Sequence, residues 1–170
     1  MASGKEQADS LSESSSETSP PMSTPPATAV ANEAAGDEHS DVPWPGRTFH
    51  IIERTTCRAI TIVDDKPVLL DLKGDGHPST LWHCVEKNGY FGFQNPRSGR
   101  YIGHDSDTGI RTGAEMRGWE LWTPRQHPEG GYQLLSPLWS DSLMVLCVAD
   151  DGIGLARRSH STTLWEFIRV

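Results

Sequence analysis

The chain ends in the stretch TTLWEFIRV, residues 162–170, which contains the pair Leu164-Trp165. The same pair occurs at Leu81-Trp82 and at Leu121-Trp122, so these three tryptophans are 40 and 43 residues apart. A bulky dipeptide that recurs at nearly equal spacing indicates an internal repeat of about 40 residues. The spacing therefore predicts three copies of one structural unit.

Apolar residues recur at matching distances before each of these three Leu-Trp pairs. Each copy opens with two apolar positions separated by one residue, has another apolar residue 11 positions after the first, and has a last pair that ends nine residues before the leucine. These positions are Phe49, Ile51, Ile60, Leu70 and Leu72 in the first copy, Phe91, Phe93, Ile102, Ile110 and Thr112 in the second, and Tyr132, Leu134, Leu143, Ile153 and Leu155 in the third. Alternating apolar residues between turn sequences such as NPRSG and DSDTG are typical of short strands. The pattern predicts four strands per copy and twelve in all.

A three-copy all-β chain has few ways to bury its sheet edges. A propeller needs about four blades or more, and a solenoid needs atypical capping repeats, which this sequence lacks. A closed three-fold barrel has no open edges and brings equivalent side chains into one core. We therefore expect Trp82, Trp122 and Trp165 to be core residues.

Residues 45–170 resemble the β-trefoil superfamily. The stretch FGFQNPRSGRYIGHD, residues 91–105, is similar to its fascin-like units, and TLWEFI, residues 163–168, to the closing strand of ricin-B-like and fungal trefoils. The resemblance implies an all-β trefoil over residues 43–170, with four-stranded repeats at about 47–87, 88–127 and 130–170. The glutamine that ricin-type domains carry two residues before the tryptophan is replaced by Thr80, Glu120 and Thr163. Ricin-type galactose binding is therefore not carried over.

Residues 1–42 differ in composition from the rest of the chain. They contain no aromatic residue, eight acidic residues and one lysine, and they are rich in Ser, Thr, Pro and Ala. Such a segment cannot bury enough apolar surface to offset the entropy lost on ordering. We expect a disordered acidic tail that accounts for most of the net charge of −8.

Several classes of function have no support in the sequence. Residues 43–170 hold 14 basic and 15 acidic residues without a basic stripe, which argues against nucleic acid and anionic membranes as partners. The N-terminus has no apolar core for a secretory signal, which predicts a cytoplasmic or nuclear protein. His104, Asp105 and Asp107 are expected to cap their own turn rather than bind a metal. No nucleophile, phosphate or zinc motif is present, so no enzymatic activity and no cofactor are predicted.

Two groups of polar and aromatic residues are not explained by the repeated core. Trp139, in SPLWSDS, is predicted to lie in a turn, and the aligned positions in the other copies hold Thr56 and Ser98. Together with Asp141 it would suit the apolar face and the hydroxyls of a sugar. The second group surrounds two predicted turns of the second copy and comprises Asn95, Arg97, Arg100, Tyr101 and Asp105.

These residues favour a non-catalytic binding module, with a carbohydrate as the first choice of partner. The fascin-like resemblance implies actin or another protein partner as an alternative. The opening stretch WPGRTFHII, residues 44–52, is also similar to fungal trefoil protease inhibitors. Because one fold serves many ligands, the partner is expected to be a glycan or a protein, and the sequence leaves this choice open.

Overall fold

The structure is a computed structural model that describes residues 40–72, 77–138 and 141–170. These residues are almost entirely β, as predicted. The twelve strands are β1 Thr48–Glu53, β2 Arg58–Val63, β3 Lys66–Asp71, β4 Leu81–Lys87, β5 Tyr90–Gln94, β6 Tyr101–His104, β7 Ile110–Gly113, β8 Thr123–Gln126, β9 Tyr132–Leu138, β10 Ser142–Val148, β11 Leu155–Arg158 and β12 Trp165–Arg169. The helical segments in these ranges are two 3₁₀ turns, Pro78–Thr80 and Gly118–Glu120, and neither could cross a membrane.

Six strands form a closed barrel. Strand β1 pairs with β4 on one side and with β12 on the other, and the ring continues through β5, β8 and β9. The step from β5 to β8 consists of two hydrogen bonds between the backbones of Phe91 and Trp122. Because the ring closes, each of these strands is paired with a neighbour on both sides. The predicted three-fold barrel is confirmed.

Three hairpins, β2–β3, β6–β7 and β10–β11, contact one another beside the barrel. Val68 of the first hairpin bridges to Gly154 of the third, and Gly109 bridges to Ala156. Thr112 Oγ1 in the second donates to the carbonyl of Asp65 in the first, at 2.7 Å. Each hairpin therefore supports the next.

The three repeated tryptophans occupy equivalent positions in the core. Trp82, Trp122 and Trp165 have no exposed surface. Each lies opposite the first apolar residue of its own copy, so that Trp82 faces Phe49, Trp122 faces Phe91 and Trp165 faces Tyr132. Each indole Nε1–H donates to a backbone carbonyl of the second strand of its copy, at Ile60, Ile102 and Leu146. The predicted core role of these tryptophans is confirmed.

Three of the predicted apolar positions, Leu70, Leu143 and Ile153, are exposed. Leu143 is 49% exposed, and the residue equivalent to Ile60 and Ile102 is Leu146, because the hairpin between β9 and β10 is longer than its counterparts. In the first copy Leu69 is buried opposite Ile60, so its neighbour Leu70 faces outward, as the two-residue period of a strand requires.

The folded region begins before the predicted boundary at residue 43. The backbone N–H of Asp41 donates to the carbonyl of Phe167 at 2.7 Å, and Ser40 Oγ accepts from the N–H of Phe167 at 3.0 Å. The Asp41 carboxylate accepts from the N–H of Arg169. These bonds continue the pairing of β12 onto residues 40 and 41. The rest of the predicted tail, residues 1–39, lies outside the described residues.

Candidate functional site

An exposed tryptophan of the second copy lies between two clefts. Trp119 is 46% exposed and lines both a cleft of about 520 Å³ and a smaller one of about 300 Å³. It lies in the 3₁₀ turn Gly118–Glu120, directly before Leu121-Trp122. The aligned positions in the other copies are Ser79 and Thr162. The barrel therefore does not require an aromatic residue here.

The turn that carries Trp119 is anchored by a buried carboxylate. Glu120 Oε1 accepts from Arg111 NH2 at 3.0 Å, and Oε2 accepts from the backbone N–H of Arg117 at 3.0 Å. A buried carboxylate needs such partners because the loss of hydration is costly. Room for it comes from Gly103, where a Cβ would lie 2.8 Å from Oε1, and from Gly113. Trp119 is thus presented on a rigid base.

The Trp119 indole contacts two side chains. His104 stacks on it with ring centroids 5.8 Å apart, and the Arg111 guanidinium lies 5.2 Å from the ring centroid. Arginine above an aromatic face is attracted by the negative potential of the ring. Both contacts restrict the orientation of the indole, and its exposed part is left for a ligand.

His104 is buried at the wall of the smaller cleft. Its Nδ1 lies 2.6 Å from the carbonyl oxygen of Asp105, so Nδ1 carries the hydrogen and donates. Burial lowers the pKa of His104, assisted by the positive charges of Arg157 and Arg111, although the bond to Asp105 and the charge of Glu120 act in the opposite direction. The ring is therefore neutral at neutral pH, and Nε2 is an acceptor. No described residue forms a hydrogen bond to Nε2.

Arg157 also lines the smaller cleft, together with Asp105, Ser106 and Pro137. It is 1% exposed. Its Nε donates to the carbonyl of Asp107 at 2.9 Å, and longer bonds of 3.4 and 3.5 Å reach the carbonyl of Asp105 and Ser136 Oγ. Burial lowers the pKa of the guanidinium, while the charges of the two aspartates oppose this effect. The cleft thus contains a cationic group that water scarcely reaches.

The second predicted group of site residues does not form one cluster. Asp105 lines the smaller cleft, and its Oδ1 accepts from the N–H groups of Asp107 and Gly109, which is the predicted turn cap. Arg100 donates to the hydroxyl and carbonyl of Thr112. Arg97 is exposed and Tyr101 is half-buried. Of the five, Asp105 is the one that lines either of the two clefts around Trp119.

Asn95 has a structural role. Its side-chain N–H groups donate to the carbonyls of Pro78 and Leu81, and its Oδ1 accepts from the N–H groups of Arg97 and Ser98. The side chain is buried, and both polar atoms of its amide are already bonded. Binding a ligand there would require breaking these bonds, so we leave Asn95 out of the candidate site.

Asn95→Ala should reduce the free energy of unfolding by about 1–3 kcal/mol, because buried carbonyls would lose their donors. Ligand affinity should be unchanged once the variant is folded. Urea denaturation measures the first effect, with Arg97→Ala, two residues away and exposed, as the control. An Asn95→Ala variant as stable as Arg97→Ala would show that the amide does not hold this turn.

The first predicted site falls largely outside the described residues. Trp139 and Ser140 are not described, and Asp141 is exposed at the start of the following strand. Pro137, two residues before Trp139 in the sequence, lines the smaller cleft. The pairing of Trp139 with Asp141 at a ligand stays a prediction.

The described residues contain no group of three His, Cys, Asp or Glu side chains placed to hold a metal ion. The three cysteines are free, with Cys84 and Cys147 buried and Cys57 exposed. Burial raises the pKa of Cys84 to about 12, assisted by the negative charge of Glu86. Cys84 is thus protonated at neutral pH and fills the core as an apolar group.

Trp119, Glu120 as its anchor, and Arg157 were not predicted from the sequence. Trp119 could have been found by the criterion that selected Trp139, since both are aromatic residues without counterparts in the other copies. Arg157 is harder to find, because an arginine near a turn reads as a solvated residue until the strand register is known. The alignment by distance pairs Thr112 with Leu155, whereas in the structure Arg157 takes the position equivalent to Thr112. This two-residue difference hides the burial of Arg157.

The fold is shared with several solved structures, although no protein-family model and no curated sequence matches the chain. An endo-β-galactosidase from Clostridium perfringens matches with a TM-score of 0.64 and 19% identity over 73% of this chain, which spans 32% of the enzyme. A protein described as BEL β-trefoil matches with a TM-score of 0.59 and 17% identity over 76% of this chain and 97% of its own. The ricin B-like lectin of Macrolepiota procera, solved in complex with lactose, gives 0.60 and 13% over 76% of this chain and 100% of the lectin. With three four-stranded copies around a closed barrel, this chain has the β-trefoil fold.

Proposed function

We propose that the protein is a carbohydrate-binding trefoil module and that its ligand binds at Trp119 and the two adjacent clefts. The observation that carries the proposal is a rigidly held, half-exposed tryptophan that the other two copies lack. Aromatic rings with polar groups around them suit sugars, whose rings offer both C–H faces and hydroxyls. A similar trefoil that binds lactose supports this choice of ligand.

The surrounding polar atoms are suited to sugar hydroxyls. The unpartnered His104 Nε2 can accept a hydrogen bond from a hydroxyl in the smaller cleft. Arg111, which lines the larger cleft and is 39% exposed, can donate one from the N–H groups that Glu120 does not use. Donors and acceptors fixed in this way give specificity, because a ligand that leaves one of them buried and unpaired binds more weakly.

We also propose that binding occurs without catalysis. Glycoside hydrolysis needs a protonated carboxyl group beside a second carboxylate. Among the described residues that line the clefts, the carboxylates already accept hydrogen bonds: Glu120 from Arg111, Glu115 from Arg117, and Asp105 from two backbone N–H groups. The similarity to the endo-β-galactosidase covers a third of that enzyme, and its activity is not transferred.

Trp119→Ala should weaken glycan affinity by about tenfold to a hundredfold, the usual range for an aromatic side chain at the centre of a binding site. A glycan array with the wild type selects the ligand, and isothermal titration then compares the variants. Trp44→Ala is the matched control, because Trp44 is 59% exposed and lines neither cleft. Equal losses in both variants would move the site away from Trp119.

A wild type that binds no glycan on the array would contradict the proposed function. The alternatives from the sequence would then be tested by a protease inhibition panel and by co-sedimentation with actin filaments. Inhibition or co-sedimentation that survives Trp119→Ala would assign the protein to that class of partner and to another surface. Turnover of any glycan would refute the non-catalytic part of the proposal.

A further inference from the structure

Arg157 occupies a position at which the other copies hold uncharged residues. In the hairpin of each copy, the residue whose carbonyl accepts the hydrogen bond from the core tryptophan lies opposite one residue of the next strand. Ile60 lies opposite Leu69, Ile102 opposite Thr112, and Leu146 opposite Arg157. All three are buried. The fold therefore accepts a leucine or a threonine here, and the guanidinium is a feature of the third copy alone.

The charge of Arg157 is incompletely compensated. Among the described residues no carboxylate lies within 4.0 Å of the guanidinium. Its bonds go to two backbone carbonyls and one hydroxyl, and two of the three are 3.4 Å or longer. Asp105 and Asp107 attract it from a greater distance, and the Asp105 carboxylate is directed at its own turn. A buried charge without a close counter-ion is costly, so such an arrangement indicates a ligand that supplies one.

An unsatisfied polar atom lies at the same cleft. His104 Nε2 is buried without a partner among the described residues, and His104 and Arg157 both line the smaller cleft beside Trp119. Among the described residues, a guanidinium without a close counter-ion and a histidine nitrogen without a partner therefore meet at one cavity of about 300 Å³. Native structures satisfy nearly all buried polar groups and pair nearly all buried charges, so an unpartnered nitrogen beside an uncompensated guanidinium marks a binding site.

We propose that the smaller cleft binds the acidic group of a sugar, a carboxylate or a sulfate ester, with the Arg157 guanidinium as its counter-ion and Trp119 against the sugar ring. This inference rests on the carbohydrate-binding function proposed above and specifies its ligand as an acidic saccharide. The planar guanidinium can give two parallel N–H bonds to a carboxylate or to a sulfate, a geometry that a hydroxyl cannot reproduce.

The same arrangement makes binding dependent on pH. The charged and titratable groups around His104 are Arg157 on β11, Arg111 on β7, Glu120 in the 3₁₀ turn and Asp105 after β6. In the free protein burial and the two arginines hold the pKa of His104 below its usual value. A bound anion favours the imidazolium, so the pKa of His104 rises in the complex and protons are taken up on binding. Affinity for an acidic glycan should therefore increase as the pH falls through the pKa of the complex and level off below the pKa of the free protein.

The test compares glycans in pairs that share one core and differ in the acidic group, such as lactose, 3′-sialyllactose and 3′-sulfolactose. We expect the wild type to bind an acidic member at least about tenfold more tightly than the neutral one, which is the gain that a charge-assisted hydrogen bond typically gives. Arg157→Leu, which installs the residue of the first copy, should remove this preference, and Arg157→Lys should retain part of it. The carboxylate and sulfate members show which acid is taken.

The outcomes separate this inference from the function on which it rests. If the protein binds neutral and acidic members with equal affinity, and Trp119→Ala weakens both, the acidic site is overturned. The carbohydrate-binding function is then still supported. Failure to bind any glycan overturns both. If Arg157→Leu does not fold, Arg157→Thr, with the residue of the second copy, replaces it. A measurement on the wild type needs no variant: methyl β-D-glucuronide should raise the pKa of His104 in an NMR titration, and an unchanged pKa argues against the proposal.

Discussion

Trp82→Ala, Trp122→Ala and Trp165→Ala should each lower the free energy of unfolding by about 3–5 kcal/mol, the range measured for removal of a buried large aromatic side chain. All three indoles are fully buried. Each also donates one hydrogen bond of 2.8–3.1 Å to a backbone carbonyl, which the substitution would leave unsatisfied. A typical domain has 5–15 kcal/mol in total, so each variant should be close to unfolding.

Denaturant melts followed by circular dichroism measure these losses. The control is Trp44→Ala, because Trp44 is 59% exposed and lies outside the core cluster. The Trp→Phe variants should lie between wild type and alanine, since they keep most of the ring and lose the Nε1–H donor. The core assignment would be wrong if Trp44→Ala were as costly as the three core variants.

Phe167→Ala should cost about 3–5 kcal/mol as well, for a different reason. The Phe167 ring is the point where aromatic residues of all three copies meet: Phe49, Phe93 and Tyr132 have ring centroids 5.5–5.6 Å from it. Aromatic pairs at such distances contribute beyond the area they bury. Its removal therefore opens a cavity where the three copies join.

The matched control is Ile168→Ala, since Ile168 is the next residue of β12, points to the other side of the strand and is half-buried. Phe167→Leu should recover much of the loss by filling part of the cavity. Thermal melts of the three variants give the order expected: Phe167→Ala least stable, then Phe167→Leu and Ile168→Ala. If Ile168→Ala proved the most damaging, the centre of the core would lie elsewhere.

The fold was predictable because its information is repeated. Three approximate copies of one pattern average out local ambiguities, so the strand count, the barrel and the core tryptophans followed from spacing alone. The shift at Leu143 arose where the copies differ in length, since an alignment by distance cannot detect a longer hairpin. A fourth Leu-Trp pair, Leu138-Trp139, lies outside the 40-residue spacing and belongs to none of the aligned positions.

The candidate site was less predictable because it consists of exceptions to the repeat. Trp119 and Arg157 belong to different copies and are 38 positions apart in the sequence. They line one cleft because hairpins of the second and third copies bridge at Gly109 and Ala156. Such a juxtaposition depends on tertiary register, which strand patterns in a single copy do not contain. The bonding of Asn95 was unpredictable for the related reason that a turn residue reads as exposed until its partners are known.

The pairing of β1 with β12 has a consequence for how the protein is made. Phe49 lies opposite Arg169, so the barrel of the nascent chain cannot close until nearly all of the described residues have left the ribosome. Until then β1 has an unpaired edge, and edges of this kind are prone to association. Contacts between such distant positions also slow folding, because loop-closure entropy is lost before they form. Synthesis and folding of this domain should therefore benefit from chaperones that shield strand edges during translation.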